Sequence, residues 1–314
     1  MQNDKFKKRV LFIGIPDMAY GCLELLCRAG VNIVGVIGPK KHHSTYQQFK
    51  GFVDSLKLNL IDYESLKSED LLTKIKNLNI DIAVVASFNA KIPEEFISSI
   101  KDGILNQHPS LLPNYRGGNP YSHVIINGEK ETGITIHFMS PEFDEGDIIY
   151  QEKCPIEPNE TMGTIFAKTN RQSAYALLKV LSQYEKDGFL PRKPQPDGDF
   201  VQAPNINTND SFIDFRKSAV EIERFVRALN PYINALSVFR DNYVKIHKVS
   251  VCDDVISDEY NVGDIYKIKD NKIYIKTSKG AIVPEVLQFA AFFIGDVKDF
   301  IDIVNPKIGE HFGF

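Results

Sequence analysis

The sequence predicts an α/β protein, a doubly wound and mostly parallel sheet followed by a smaller β-barrel domain. Three observations carry that expectation. Short, continuous apolar runs at residues 10–14, 31–37 and 80–86 have the character of strands buried on both faces of a parallel sheet. Segments of helical periodicity lie between them. Beyond residue 205 the pattern changes to short strand-like runs in close succession.

Each element has a local reason. Residues 10–14 form the first strand, and Ile15-Pro16-Asp17 turns the chain into a helix over 18–29. That helix places Cys22, Leu25, Leu26 and Ala29 on one face and stops at Gly30. Helices follow over 46–58 and 68–78, and another starts at Pro93. Between 189 and 204, Pro191, Pro194, Pro196, Gly198 and Pro204 break regular structure, so 191–205 reads as a linker between a domain over 1–190 and one over 206–314. In the second domain a helix is expected over 217–229, strands over 235–240, 243–251, 262–268, 272–276 and 281–288, and a last helix over 295–304. There is no internal repeat.

Composition narrows the function. A chain of 314 residues with 43% hydrophobic and 25% charged residues is globular, and its net charge of −4 gives no overall attraction to phosphate backbones or anionic membranes. Cys22, Cys27, Cys154 and Cys252 have no metal-ligand spacing, and with no signal peptide recognised the expected compartment is the cytoplasm. No apolar run reaches the length of a membrane span. Gly14-Ile-Pro-Asp17 lacks the GxGxxG spacing of a dinucleotide site, so NAD is not expected, and the adjacent His42-His43 lacks ligand spacing, so no metal is expected. His123, His137 and His247 sit in apolar or alternating runs and are read as structural or surface residues.

The densest polar stretch follows Ile104-Leu105: Asn106-Gln-His108-Pro-Ser110-Leu-Leu-Pro113-Asn-Tyr-Arg116-Gly117-Gly118-Asn119. In a strand, Asn106 and His108 point to the same face, so an amide donor and an imidazole share one pocket. Glu142-Phe-Asp144-Glu145-Gly146-Asp147 follows the apolar strand over 134–138 and brings a carboxylate loop toward the same sheet edge.

Together with Glu131-Thr132-Gly133-Ile134-Thr135 and Asp144-Glu-Gly146-Asp147, this stretch resembles the signature of the formyltransferases that use 10-formyltetrahydrofolate. The similarity covers most of residues 8–190. It extends more weakly to the entry of the later domain, Asp214-Phe-Arg-Lys-Ser-Ala to Asn230-Pro231. The resemblance implies a formyltransferase-like Rossmann variant with an OB-like C-terminal barrel, and 10-formyltetrahydrofolate as co-substrate. It implies that Asn106 donates to the tetrahedral oxyanion, His108 shuttles the proton and Asp144 holds the imidazole. It further implies a folate site lined by Phe88, Asn89, Ile92, Met139 and Asp144, and acceptor contacts from Met18, Tyr46, Ser110, Arg116 and Asn119.

The acceptor is expected to be a nucleotide-linked amino sugar, with methionyl-tRNA as the alternative. Two features point to the sugar. The loop over 38–49 is short, with two lysines and no arginine, and residues 206–314 hold 14 Lys and Arg against 16 Asp and Glu, a net of −2 where a tRNA-binding barrel is expected to be basic. A formate-releasing hydrolase and a silent sugar-binding module are the remaining readings. Glycinamide ribonucleotide is disfavoured, because enzymes for it generally lack a second domain.

Overall fold

The computed structural model describes residues 6–88, 90–290 and 293–313. The chain divides into two compact units. One comprises Met1–Gly117, Thr132–Pro155 and Ala167–Ala203, and the other Gly118–Glu131, Ile156–Phe166 and Pro204–Phe314.

The first unit is built on a six-stranded sheet of β1 (Val10–Gly14), β2 (Ile33–Ile37), β3 (Ile82–Ala86), β4 (Ile104–His108), β5 (Glu131–Phe138) and β6 (Ile148–Pro155), in the order β2-β1-β3-β4-β5-β6. β1 lies parallel to β2 and β3, β3 parallel to β4, and β5 antiparallel to β4. Every residue of β1 and β3 is buried, the reason those runs are unbroken and apolar. One apolar cluster joins Val10, Phe12 and Leu26 to Leu177, Leu181 and Tyr184, and another joins Leu11, Ile13, Ile75 and Phe96.

The connecting helices are α1 (Pro16–Arg28), α2 (Tyr46–Ser55), α3 (Glu69–Asn77), α4 (Glu94–Ile97) and α5 (Pro120–Ile126), followed by the long α6 (Met162–Asp187). Pro16 opens α1, where a missing N–H costs nothing. Ser68 caps α3 by accepting from the Leu71 amide. The order reverses direction beside β1, since the chain leaves β1 for β2 on one side and continues from β3 on the other. Ligands of open α/β sheets bind at the carboxyl ends of the strands near such a reversal.

The second unit contains α7 (Ala219–Leu229), the antiparallel strands β7 (Ala235–Phe239), β8 (Asn242–Cys252), β9 (Ile265–Lys269), β10 (Lys272–Lys276), β11 (Ala281–Phe289) and β12 (Phe293–Asp296), and α8 (Val297–Val304). The strand order is β7-β8-β11-β10-β9, with β12 paired to β11. Phe312 bridges Phe239 and His311 bridges Asp264, so one short segment joins the two sheet edges. A capping box of Ser218 and Glu221 starts α7. Where a helix is expected from residue 295, the chain is still in β12, paired with β11 through Gly295 and Asp296, and α8 begins at Val297. No helix among the described residues is long and apolar enough to cross a membrane.

Candidate active site

β4 ends at the carboxyl edge of the sheet with Asn106 and His108 on one face. The chain then folds back through residues 109–117, and Ser110 is fully buried, its hydroxyl donating to the Asn114 carbonyl (2.8 Å). His108 is 4% exposed and its Nε2 lies 2.8 Å from the Tyr115 carbonyl oxygen. A carbonyl only accepts, so Nε2 carries the proton and Nδ1 is the free nitrogen of the neutral ring. That Nδ1 faces Asp144 Oδ2 at 3.5 Å.

Asp144 is set by its loop. The residue adopts left-handed backbone (φ 57°), a conformation that Asp tolerates better than most side chains, and its Oδ2 accepts from the Gly117 amide at 3.0 Å. Gly146 must be glycine, because a Cβ there would come within 1.8 Å of the Phe138 carbonyl oxygen. The Phe138 amide donates to the Asp147 carbonyl at 2.9 Å, which turns the loop back onto β5.

His137 joins the cluster: of the two readings, structural or surface, the structure excludes the surface one and sets the buried ring against the expected site. It sits opposite Asn106 in the antiparallel β4–β5 register, 2% exposed. Its Nδ1 donates to the Phe138 carbonyl (2.8 Å), which leaves Nε2 to accept from Asn106 Nδ2 (3.1 Å). One amide hydrogen of Asn106 is thereby committed and the orientation of its side chain fixed. His137 Nε2 also lies 3.7 Å from Asp144 Oδ1. Burial, followed by the nearby His108, pushes the His137 imidazole down from 6.5 to about 4 against the pull of Asp144, so it is neutral at physiological pH.

The structure brings Asn106, His108 and Asp144 into one cluster, and adds His137 and the Tyr115 carbonyl, which the sequence reading did not assign to it. The signal for His137 was present in principle, because pairing residues 104–108 antiparallel with 134–138 sets it against Asn106.

Phe88, Ile92 and Met139 belong to one apolar cluster, with Ile92 buried and the other two packed against it, while Asn89 lies outside the described residues. Met18 is buried at the start of α1. Tyr46 is buried with its hydroxyl donating to Asp62 (2.6 Å), which pushes the phenol up to about 12. Arg116 donates to Gln195 (2.7 Å) and Glu145 (2.8 Å). Asn119 serves as the N-cap of α5, accepting from the Ser122 amide. No group of three or more His, Cys, Asp or Glu side chains that could hold a metal ion occurs among the described residues.

Comparison with known proteins places these features in context. Residues 10–181 match the family described as "Formyl transferase" and residues 205–304 match "Formyl transferase, C-terminal domain". The chain is 33% identical over 291 residues to methionyl-tRNA formyltransferase of Clostridioides difficile, covering 89% of this chain and 92% of that one. It is 32% identical over 316 residues to methionyl-tRNA formyltransferase of a Sulfurihydrogenibium species, covering 97% and 99%. Among solved structures, an N-formyltransferase from Helicobacter canadensis in complex with folinic acid and dTDP-3-aminofucose superposes with a TM-score of 0.68 at 21% identity, covering 88% of this chain and 98% of that one. WlaRD, a sugar 3N-formyl transferase, gives 0.66 at 20% identity, covering 91% and 99%.

These findings overturn the expected nucleotide-linked amino sugar. The relatives that share about a third of the sequence over nearly its whole length are named as methionyl-tRNA enzymes, whereas the sugar transferases, at 20–21% identity, share the fold. The charge argument failed for a physical reason. A net of −2 over residues 206–314 averages the whole surface, and Asp253, Asp254, Asp258 and Glu259, packed into one short stretch, supply much of the acidity. Phosphate contacts depend on the local placement of a few cations.

Proposed function

From the premise that this chain belongs to the formyl transferase family, we propose that it transfers the formyl group of 10-formyltetrahydrofolate to the amino group of methionyl-tRNA. The observation that carries the chemistry is the convergence of Asn106, His108 and Asp144 at the carboxyl end of β4. The full-length relatives carry the acceptor.

In this reading the free amine attacks the formyl carbon and the carbonyl oxygen becomes an oxyanion. Asn106, held by His137, offers its second amide hydrogen to that oxygen without being consumed. His108 takes the amine proton at Nδ1, since Nε2–H is already given to Tyr115. The resulting imidazolium faces the Asp144 carboxylate, which stabilises it, and the proton passes on to the departing folate nitrogen. Formyl leaves one nitrogen and joins another, so atoms and charge balance with no redox step. Phe88, Ile92 and Met139 supply the apolar wall for the pterin, and Arg116 lies beside the carboxylate loop. Residues 1–190 would then hold the chemistry, with 191–205 leading to a C-terminal domain over 206–314 that contributes to the acceptor.

The test is to supply the full-length protein with 10-formyltetrahydrofolate and charged initiator tRNA and to separate formylmethionyl-tRNA from methionyl-tRNA. Stoichiometric formylation with tetrahydrofolate release is expected. Absence of formylated tRNA in the presence of a folate-binding protein would overturn the acceptor.

A further inference from the structure

Residues 191–205 contain the prolines that prevent regular structure, yet one side chain there reaches both loops of the active site. Gln195 donates from Nε2 to the Asp144 carbonyl (2.7 Å) and to the Gly146 carbonyl (2.9 Å). Its Oε1 accepts from Arg116 Nη2 (2.7 Å) and Nε (3.3 Å). The assignment of oxygen and nitrogen is unambiguous, because carbonyls only accept and a guanidinium only donates. All of this amide's strong hydrogen-bonding capacity is therefore spent on two segments, 79 and 51 residues away in sequence.

Those two segments carry the partners of His108. Arg116 lies between Tyr115, whose carbonyl holds His108 Nε2, and Gly117, whose amide holds Asp144 Oδ2. Asp144 and Gly146 form the loop that presents the carboxylate, with Asp144 in left-handed backbone that its own chain does not favour. We propose that Gln195 is a positioning residue, whose single amide clamps the Asp144 loop to the 115–117 turn and so sets the carboxylate opposite His108. The inference rests on reading His108 and Asp144 as catalytic partners.

Tethering of the segment does not require this side chain. Two residues earlier, Lys193 and Ile148 exchange backbone hydrogen bonds (2.8 and 3.0 Å), and further on the Ala203 amide donates to the Arg116 carbonyl (2.7 Å). Backbone pairing thus fastens 191–205 on either side of Gln195. The amide is additional, and it is aimed at the loops.

Two substitutions in the full-length protein test the clamp. Gln195→Met keeps the length and removes all four contacts, and Gln195→Glu keeps an acceptor for Arg116 but cannot donate to the two carbonyls. Both should lower kcat by about tenfold to a hundredfold, with KM for folate and tRNA changed far less, as expected when a catalytic group is displaced by a fraction of an ångström or more. Amide exchange supplies a readout independent of the acceptor. The Gly117 amide, protected by Asp144 Oδ2, should exchange faster in both variants, while the Ile148 amide, paired with Lys193, keeps its protection. Unchanged Gly117 exchange, or kcat within about twofold of the parent, would overturn the proposal. Loss of protection at Ile148 as well would make Gln195 a tether and overturn it equally. A parent protein that fails to formylate charged tRNA would defeat the functional reading, and Gly117 exchange would still decide the clamp.

Discussion

In the first unit two histidines are buried on paired strands, with an aspartate loop folded over them. The interior of the second includes a cluster of Phe239, Phe289, Phe300 and Phe312, in which five ring pairs have centroids 4.6 to 6.4 Å apart. The buried polar residues of the second unit, among those described, are Asn119, Ser122, Ser211, Ser237 and Thr277, none of them charged at physiological pH. Burying a group that could ionise costs free energy unless it is partnered, and each site histidine in the first unit has a backbone carbonyl partner. The difference teaches where this chain buries ionisable groups: the two histidines lie in the first unit, and the second fills its interior with aliphatic residues and a cluster of rings.

The largest expected effect breaks the first unit's side of that contrast. If the proposed mechanism holds and the three act on one intermediate, alanine at Asn106, His108 or Asp144 should lower turnover by about two to four orders of magnitude, with the double variants far from multiplicative. Rapid-quench assays of formyl transfer read this. Thermal melting should move much less than turnover. Near-normal rates in His108→Ala would show that the proton takes another route.

On the other side, Phe300→Ala should destabilise the second unit by about 3–5 kcal/mol, as large-to-small changes in an aromatic core do. Urea titration followed by tyrosine fluorescence measures it. The site residues are untouched, so activity per folded molecule should survive at low temperature. A loss below about 1 kcal/mol would mean that the ring cluster is not the core of that unit.

A subtler test uses pH. His137 binds its proton more weakly when folded, at about 4 against 6.5, so between those values the unfolded chain takes up protons that the folded one refuses. The contribution to stability is complete above about 6.5 and falls as pH drops toward 4. Urea midpoints across this range should decline, and His137→Met should flatten part of the decline. It should also lower kcat, by about tenfold, since Asn106 loses the acceptor that orients it. An unchanged pH slope in the variant would remove His137 from the account.

The smallest effect is expected outside both cores. Removing the exposed pair of Lys50 and Asp54 on α2, 2.5 Å apart, should change stability by no more than about 0.5 kcal/mol and activity not at all. A larger change would mean that the contrast between the two interiors is not where stability is decided.

Much of this was legible in the sequence. The continuous apolar runs of β1 and β3 announce strands buried on both faces, and the two-residue repeat alone places Asn106 beside His108. What remained illegible depends on pairing at a distance. His137 looks like any histidine in an alternating strand until the antiparallel register of β5 sets it against Asn106. Gln195 sits among prolines, where composition reports only the absence of regular structure and says nothing of where a side chain reaches. The helix α6 is legible in principle, since Ala174, Leu177, Leu181 and Tyr184 recur at helical spacing and Gly188 follows its last residue, but it is not among the expected elements. A helix start at residue 295 comes two residues too early, because Gly295 and Asp296 carry no strand signature of their own and owe their conformation to pairing with β11.

The hydrogen bond from His108 to the Tyr115 carbonyl has an evolutionary consequence. The acceptor belongs to the main chain, so no substitution of the side chain at 115 deletes it, and the choice of which ring nitrogen is free is written in the path of the loop. Residues 109–114 are therefore constrained by their number as much as by their identity. A one-residue insertion there would slide a different carbonyl under the imidazole, and it should be more damaging than most single exchanges within the same stretch.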